Sequence, residues 1–383
     1  MKKLAIIWEN SVSKWTVQLF EPLVNRFQVT LFVGDHNRYP TNTIQLPQKR
    51  LSQREEIFQG LFHPYQYVRQ SFKYPGKHND YYYNSLRKKL RGYDLVITIQ
   101  KNRCLNTAAS LKDELCFKAV TYWCDNIPFR SVFDKKTDMI KDDVLPKFDL
   151  IVAWTEHIKR SLLLEDIPAS KLARVYNAVD RKLFYPSPKD PLLMNTYGLQ
   201  ETDRIILQVG KLASWKGAHY LIYAAKILKD RGESFKILLV GSGSQKENLK
   251  KLIQKAGLEN HVLFPGFLPY EEVAKIFNLA DVVVLSSIPT LNWQEQFGMV
   301  LIEAMACGKP IIASESGSIP EVVGDGGKLF SPGQFEQLAD LLSEFIKNPE
   351  MCNSYGLKGL KRVKKYFDVE KNSQLFADLL DRL

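Results

Sequence analysis

The second half of the chain alternates short apolar runs with amphipathic segments of about 10–15 residues, a pattern that strongly constrains the fold. Apolar runs predict strands at 204–210, 235–241, 262–264, 281–285 and 310–313. Helices are predicted between them, near 217–231, 244–257, 270–278 and 298–307. Short strands separated by helices are typical of βαβ units, in which helices cover both faces of a parallel sheet. The sequence therefore predicts a doubly wound α/β domain, which binds ligands at the carboxyl ends of its strands.

The first half shows the same pattern less clearly, with strands predicted at 4–8, 29–33, 94–100, 118–123, 149–154 and 173–176. About 60 residues between the second and third of these strands have no strand pattern, which is unusually long for a connection. Three prolines within 185–191 interrupt helix and sheet alike and indicate a boundary. We expect two Rossmann-like domains that face each other across a cleft, over 1–187 and 188–365. A C-terminal helix at 366–383 is expected to pack back on the first domain.

Composition supports two globular domains and excludes several other classes of protein. The 383 residues are 45% hydrophobic and 25% charged, which excludes a disordered or fibrous chain. No apolar run approaches the roughly 18 residues that a membrane helix needs, and the stretch 4–8 is too short for a signal peptide. We therefore expect a cytoplasmic protein. The five cysteines form no C-x-x-C pair and the six histidines are scattered, so neither a disulfide framework nor a metal site is expected.

The net charge of +11 is confined to the first half. Residues 1–190 contain 31 Lys and Arg against 20 Asp and Glu, whereas residues 191–383 contain 22 of each sign. The segment 49–91 alone has ten basic, three acidic and nine aromatic residues. This mixture suits an anionic membrane surface or another anionic partner, and less well the stacking of single-stranded nucleic acid. A helical insertion whose rings pack inward would give the same pattern, so the sequence leaves these alternatives open.

The stretch 292–310 carries the most informative motif, in which Glu295 and Glu303 flank seven residues across a predicted helix start. Residues 298–300 form the first predicted turn, whose free N–H groups and dipole favour an anion such as a phosphate. Glu303 lies more than a turn further on, in an apolar helix, where a carboxylate can accept two hydroxyl hydrogen bonds, as from a ribose. The alternative is that both glutamates are ordinary solvated helix charges.

This stretch resembles the retaining glycosyltransferases of family 4, which have the two-domain GT-B fold. Their hallmark is a run such as E-x-F-G-x-V-x-x-E-A-M-A-x-G-x-P, and residues 295–310 fit each defined position. Four other segments of the second half agree in order, resembling a phosphate clamp (209–217), a V-G-x-G turn (240–243), the loop beside the nucleotide base (265–267) and a G-G-x-P-E element (317–321). Residues 176–184 resemble the signature that precedes the interdomain linker, with Ala178 in place of Gly.

The resemblance implies a donor site in the second domain. It assigns Glu295 to the donor sugar, Glu303 to the ribose, and the two lysines 211 and 216 to the diphosphate, whose charge they would balance without a metal. Lys211 replaces the usual Arg and lacks its bidentate geometry. The catalytic candidates are Glu295, Lys216, Lys211 and, in the first domain, Asp125. The other donor-binding candidates are Gly210, Gly241, Gly266, Phe267, Phe297, Gly298, Met299, Val300 and Glu303. No cofactor is implied beyond the substrate, a UDP- or GDP-linked sugar.

The first half departs from the family pattern, and the acceptor side is correspondingly less defined. Many relatives have a Gly-Gly loop after the first strand, where this chain has residues 8–15 with Ser11 and Ser13. Many have a His after a central strand, where this chain has Trp123, Cys124, Asp125 and Asn126. Asp125 is a candidate acceptor contact or base, or else a turn or N-cap aspartate. His157 is a candidate for the cleft, or else a surface helix residue.

Together these features predict a retaining hexosyltransferase that moves a sugar from a nucleotide sugar to a glycan, lipid-linked or anionic acceptor. The family precedent is a front-face displacement in which the leaving phosphate assists removal of the acceptor proton. One alternative is another GT-B enzyme, such as a phosphorylase or a nucleotide-sugar epimerase. A second is a non-catalytic nucleotide- or nucleic-acid-binding module, which would agree with the high pI but leaves the glutamate motif unexplained.

Overall fold

The computed structural model describes residues 1–8, 11–34, 37, 39–51, 83–99, 104–132 and 143–383. The chain forms two compact units, one made of Met1–Tyr176 with Glu370–Leu383 and the other of Asn177–Val369. The second unit thus begins at Asn177 rather than at 188.

Contacts of the residues that follow Tyr176, where the chain leaves the first unit, explain why the second unit begins at Asn177. Val179 pairs with Asp368 in a parallel bridge, so the chain just after the crossing is tied to the end of the second unit. Phe184 is fully buried, and its ring centre lies 5.2 Å from that of Tyr270 and 6.1 Å from that of Phe277. Residues 177–187 therefore belong to the core that follows them.

The first unit contains a seven-stranded parallel sheet with the order β3-β2-β1-β4-β5-β6-β7. Its strands are β1 (Lys3–Trp8), β2 (Gln28–Gly34), β3 (Gln48–Leu51), β4 (Leu95–Ile99), β5 (Lys118–Trp123), β6 (Leu150–Ala153) and β7 (Leu172–Arg174). Ala5 of the central strand β1 is in register with Thr30 on one side and Val96 on the other. The strand order reverses direction at β1 and β4, which is the doubly wound arrangement that the sequence predicts.

The strand β3 was not predicted, and the expectation of a strandless segment between 33 and 94 is wrong. Three of its four residues are exposed and only Leu51 is buried, because β3 lies at the edge of the sheet. Because most of β3 is exposed, it has no continuous apolar run, so the pattern used to find strands misses it. Of the basic and aromatic segment 49–91, residues 52–82 lie outside the described residues.

Helices of the first unit contribute buried residues to the core, together with the strands. They are Lys14–Val17, Tyr83–Lys89, Cys104–Leu115 and Glu156–Leu164, with 3₁₀ turns at Gln18–Asn25, Arg130–Val132, Leu145–Lys147 and Ala169–Lys171. The C-terminal helix Val369–Asp381 returns to this unit, and the ring of its buried Phe376 lies 5.4 Å from Phe20 and 5.5 Å from Tyr122.

The second unit contains a six-stranded parallel sheet with the order β10-β9-β8-β11-β12-β13. Its strands are β8 (Ile205–Val209), β9 (Lys236–Val240), β10 (Val262–Gly266), β11 (Val282–Leu285), β12 (Ile311–Ser314) and β13 (Gly327–Phe330). The first five lie where the sequence predicts strands, and β13 is an unpredicted edge strand. The order reverses between β8 and β11, and this switch point is where open parallel sheets bind ligands.

Helices of the second unit are Pro191–Thr196, Ala218–Asp230, Lys246–Ala256, Tyr270–Leu279, Met299–Ala306, Ile319–Val323, Phe335–Lys347 and Pro349–Arg362. Shorter turns lie at Ser214–Lys216 and Gly324–Gly326, and a π-helical turn at Val363–Phe367. The two parallel sheets confirm the predicted fold class. Within the described ranges, no helix is both long and apolar enough to cross a membrane.

Candidate functional site

An ion pair lies at the switch point of the second sheet. The Nζ atom of Lys216, in the loop after β8, donates to Oε2 of Glu295, in the loop after β11, at 2.6 Å. The hydroxyl of Ser287 donates to the same oxygen at 2.7 Å. The Glu295 side chain is 8% exposed and that of Lys216 22%. Charge-assisted bonds of this length are strong when water is largely excluded, so both side chains are held in place.

The loop after β12 fixes the backbone of Glu295. The Glu295 N–H donates to the hydroxyl of Ser316 at 3.4 Å, and its carbonyl accepts from the N–H of Ser318 at 2.9 Å. The hydroxyl of Ser314 donates to the Ser287 carbonyl at 2.5 Å. These four serines are buried, so the loops after β11 and β12 form one hydrogen-bonded unit behind the carboxylate.

Lys216 is positioned by a glycine that follows it. Gly217 has φ of +67°, and a Cβ there would lie 1.9 Å from the carbonyl oxygen of Ser286. Only glycine allows this approach, which brings the loop after β8 against the loop after β11. The Ser286 hydroxyl donates to the Gly217 carbonyl at 2.9 Å, and the amide of Gln208 donates to the Lys216 carbonyl at 3.0 Å.

Two tryptophans flank the ion pair. The rings of Trp215 and Trp293 are half-buried, with centres 6.1 Å apart and planes inclined at 50°. The Nζ atom of Lys216 lies 5.0 Å from the Trp293 ring centre, and that of Lys211 lies 5.5 Å from the Trp215 ring centre. These distances are typical of cation–π contacts, so both lysines lie beside aromatic rings at this edge of the sheet.

The glycines after β8 and β9 serve a close approach of two loops. At Gly241, φ is +134° and a Cβ would lie 1.9 Å from the Gly210 carbonyl oxygen; at Gly243 it would lie 2.2 Å from the Leu212 carbonyl oxygen. The Gly210 N–H donates to Val240, and the Leu212 N–H donates to Ser242, each at 2.9 Å. The phosphate-clamp segment is therefore fixed by backbone contacts with the V-G-S-G turn.

The helix Met299–Ala306 begins directly after the glutamate loop. Gly298 precedes it with φ of +82°, and Met299 and Val300 are half-buried in its first turn. The start of the helix carries the partial positive charge of unpaired N–H groups, as the sequence predicts. Phe297 is 1% exposed, and its ring packs edge-on against that of Phe367 at 5.9 Å. Its contacts in this structure are therefore with the core.

Glu303 is the fifth residue of this helix and is buried. Burial raises the pKa of its carboxyl from 4.5 to about 7, although the hydrogen bond from the hydroxyl of Tyr270 favours the charged form. The Tyr270 hydroxyl donates to Oε1 at 3.0 Å. Glu303 is therefore poised to change charge near neutral pH. The alternative that Glu295 and Glu303 are solvated helix charges does not hold, since they are 6% and 4% exposed.

The remaining donor-binding candidates lie at the same edge of the sheet but are more open. Gly266 ends β10 with φ of +88°, and a Cβ there would meet open space. Phe267, which follows it, is 60% exposed. Lys211 is exposed as well, in contrast to Lys216. An exposed ring beside an open strand end offers a stacking surface for a flat ligand.

The acceptor-side candidates lie in the first unit, after β1, β5 and β6. Asp125 is 1% exposed, and its Oδ1 atom lies 3.6 Å from Nη1 of Arg130. The same oxygen accepts from the Ile127 N–H at 3.4 Å, which is the geometry of a turn aspartate. Asn126 is buried, and its carbonyl accepts from the Ser161 hydroxyl at 3.1 Å. Trp123 belongs to the core of the unit.

The other acceptor-side candidates are divided between a loop and a helix. The exposed Ser11 accepts from the Trp8 ring N–H at 3.4 Å. Ser13 is buried at the start of a short helix, with its hydroxyl 3.1 Å from that of Thr16. His157 is half-buried in the helix that follows β6. In the described part of the chain, no three His, Cys, Asp or Glu residues are grouped as metal ligands would be.

Sequence reasoning missed several residues of the donor-side arrangement. These are Ser287, Ser316, Tyr270, Trp215 and Trp293. Ser287 could have been found, because it is the second residue after a buried apolar strand in a parallel sheet, where ligand-binding residues lie. Tyr270 could not, because nothing in the local sequence links it to a glutamate 33 residues away.

Similarity to solved structures defines the class of fold. The crystal structure of Alr3699/HepE from Anabaena in complex with UDP and glucose matches with a TM-score of 0.83 and 21% identity over 100% of both chains. The chain therefore has the GT-B fold. Residues 190–362, somewhat less than half of the chain, match the family model of glycosyl transferases group 1.

Two curated relatives illustrate the sequence similarity. N-acetyl-alpha-D-glucosaminyl L-malate synthase of Bacillus anthracis is 31% identical over 207 residues, which are 53% of this chain and 52% of the relative. Alpha-D-kanosaminyltransferase of Streptomyces kanamyceticus is 26% identical over 276 residues, which are 70% of this chain and 66% of the relative. The chain thus spans about half to two thirds of the length of these relatives.

Proposed function

We propose that the chain is a retaining glycosyltransferase of family 4, which transfers a hexosyl group from a UDP- or GDP-linked sugar to an acceptor. The observation that carries the proposal is the ion pair between the half-buried Lys216 and the buried Glu295 at the switch point of the second sheet. A cation and a carboxylate held side by side suit a substrate with an anionic leaving group next to a polyhydroxylated ring. The names of the curated relatives support the reaction class.

Charge at the diphosphate is supplied by lysines in this proposal. Lys216 balances the negative charge that grows on the leaving phosphate, Lys211 adds a second and more exposed cation, and the first turn of Met299–Ala306 adds N–H donors. Because these groups are fixed before the substrate binds, little reorganisation is needed in the transition state. No metal or further cofactor is part of the proposal.

The sugar and the ribose are bound by the two glutamates. Glu295 accepts hydrogen bonds from hydroxyls of the donor sugar, and Glu303 accepts them from the ribose. Ser287 and Ser316 hold Glu295 in place. The leaving phosphate takes the acceptor proton in a front-face displacement, so that no residue acts as a covalent nucleophile.

The acceptor is assigned to the first unit. Asp125 and Asn126 after β5, with Ser11, Ser13, Trp123 and His157, remain the candidates for contacting it. The excess positive charge of residues 1–190 favours a glycan that is anionic or carried on a phosphorylated lipid.

A thermal-shift panel of nucleoside diphosphates and nucleotide sugars tests the donor site. A ligand that binds the native state raises its melting temperature, so UDP or GDP and the matching nucleotide sugar should stabilise the protein. Lys216→Ala should abolish most of the shift, whereas Lys226→Ala, in the neighbouring helix, should leave it unchanged. Absence of a shift with every nucleotide would contradict the proposal.

Product analysis separates the proposed activity from related chemistry. A phosphorylase would require inorganic phosphate, and an epimerase would convert the nucleotide sugar without an acceptor. Release of a nucleoside diphosphate that depends on an acceptor would support the proposal over both.

A further inference from the structure

The tryptophan pair has no role in the donor site as described so far. Trp293 ends the turn Thr290–Trp293, which is closed by a hydrogen bond from the Thr290 N–H to the Trp293 carbonyl at 2.7 Å. The hydroxyl of Thr290 donates to the same carbonyl at 3.2 Å. A short turn closed in this way holds the half-buried ring in one place, whereas Leu291 in the same turn is 64% exposed.

Trp215 supports Trp293 from the neighbouring loop. The carbonyl of Trp215 accepts from the Ile288 N–H at 2.8 Å, which ties the loop after β8 to the loop after β11. The two rings lie 6.1 Å apart at 50°, within the range of favourable aromatic pairs. The Trp293 ring is therefore preorganised by contacts that need no ligand.

The position of this ring relative to the ion pair indicates what it binds. The Nζ atom of Lys216 lies 2.6 Å from Glu295 and 5.0 Å from the Trp293 ring centre, so one bound hexose could reach both the carboxylate and the ring. The face of an indole ring is negative, which is why it attracts an ammonium group. The same face attracts the weakly positive C–H bonds on the apolar side of a pyranose.

We infer that Trp293 is a binding platform for the sugar ring of the donor, stacking on its C–H face while Glu295 accepts hydrogen bonds from its hydroxyls. This inference rests on the proposed function. It assigns affinity for the sugar, as distinct from the nucleotide, to an aromatic side chain outside the motif that carries the two glutamates.

Binding measurements with matched ligand pairs test the platform. Calorimetry would compare UDP with UDP-glucose and GDP with GDP-mannose on the full chain. Trp293→Ala should weaken the nucleotide sugar about five- to tenfold and change the affinity for the free nucleoside diphosphate less than twofold. Trp293→Phe should restore most of the loss, and Leu291→Ala should behave as the wild type. Should Trp293→Ala fail to fold, Trp293→Leu, which keeps apolar volume without an aromatic face, carries the same prediction.

The outcomes separate this inference from the proposed function. Equal weakening of both members of a pair would show that the ring only holds Lys216, and unchanged affinity for both would show that it has no role in binding; either result would overturn the inference. A wild-type protein that binds neither nucleoside diphosphates nor nucleotide sugars would instead overturn the proposed function.

Discussion

Lys216 and Glu295 form an ion pair, so an anionic ligand and the Glu295 carboxylate would compete for the same ammonium group. The diphosphate of a donor must compete with Glu295 for the ammonium group of Lys216. Without the Glu295 carboxylate, the positive charge of Lys216 would have no opposite charge beside it, so Lys216 would bind an anion more readily.

Replacement of Glu295 should therefore separate binding from turnover. Glu295→Ala is expected to lower kcat roughly a hundredfold or more, because a group at the reacting sugar acts most strongly in the transition state. Binding of the free nucleoside diphosphate should be unchanged or tighter. Steady-state kinetics and calorimetry on the same variant would measure both, with Lys216→Arg as the milder change that keeps the charge. Loss of nucleotide affinity with unchanged kcat would contradict the assignment.

Glu303 predicts a pH dependence of donor binding. Burial raises the pKa of its carboxyl to about 7 in the free protein, and hydroxyl donors from a ribose would stabilise the charged form. Below pH 7 the Glu303 carboxyl must therefore lose a proton when the ligand binds. Affinity for UDP-glucose should rise as the pH increases towards 7 and level off above it. The slope approaches tenfold per pH unit.

The matched variant for this experiment is Glu303→Gln, which cannot change charge. It should bind the nucleotide sugar more weakly and show a nearly flat affinity from pH 6 to 8. A nucleotide sugar is preferable to UDP because a terminal phosphate itself titrates near pH 6. The same pH slope in wild type and variant would show that another group is responsible.

Glycines allow the loops after β8 and β9 to pack closely against each other. The sequence at 209–217 resembles a phosphate clamp and that at 240–243 a V-G-x-G turn, and the structure adds that each segment fixes the other. Gly210 and Gly241 both have φ values that side chains rarely adopt, but only at Gly241 would a Cβ meet backbone, the Gly210 carbonyl at 1.9 Å.

Gly241→Ala should therefore destabilise the protein more than Gly210→Ala. Both variants have a strained backbone, which costs on the order of 1–3 kcal/mol, and Gly241→Ala has the overlap in addition. Urea unfolding followed by circular dichroism would compare the two. Equal loss of stability would mean that the loops can separate without cost.

Local patterns predict most strands of this fold, including the edge strands β7 and β10, and they miss the edge strands β3 and β13. The strands β1, β5, β8 and β11 are recognisable because each is an apolar run buried on both faces. The edge strands β3 and β13 are not recognisable, because exposed, charged or glycine residues interrupt the run.

The candidate site follows the same division between local and long-range information. Glu295 and Glu303 are identified by their spacing along one loop and helix, and both are buried as a specific role requires. The partners that hold them, Ser287 and Tyr270, come from other parts of the chain. These partners lie close to the glutamates because of the order of the strands in the sheet. The sequence pattern does not predict which side chains this order brings into contact.

At the scale of the whole molecule, the net charge is concentrated in one half of the chain. The excess of +11 lies in residues 1–190, whereas the proposed donor site lies in the neutral second half. Among the described residues of the basic segment, Lys88 and Arg91 are exposed, Arg87 donates to Glu114 at 2.6 Å, and Lys89 donates to the Arg50 carbonyl at 3.0 Å. We propose that this basic segment contacts an anionic membrane or a phosphorylated lipid acceptor.

Vesicle co-sedimentation tests this proposal. Binding should be strong to vesicles with anionic lipid, weak to neutral ones and reduced by salt, since each basic residue contributes roughly 1 kcal/mol near such a surface. Replacing the four residues Arg87, Lys88, Lys89 and Arg91 with Gln should reduce binding about tenfold or more. The control has the same charge change in a helix of the second unit, at Lys246, Lys250, Lys251 and Lys255. Equal association with both kinds of vesicle would contradict the proposal.

The central claim is that a nucleotide sugar bound at Lys216 and Glu295 is transferred with retention of configuration. It is tested most directly by incubating the protein with the nucleotide sugar that stabilises it most and a panel of acceptors, and following the anomeric proton by NMR. The account predicts release of the nucleoside diphosphate and a product with the anomeric configuration of the donor, at a rate sharply lowered by Glu295→Ala. An inverted product, or turnover unaffected by that change, would contradict it.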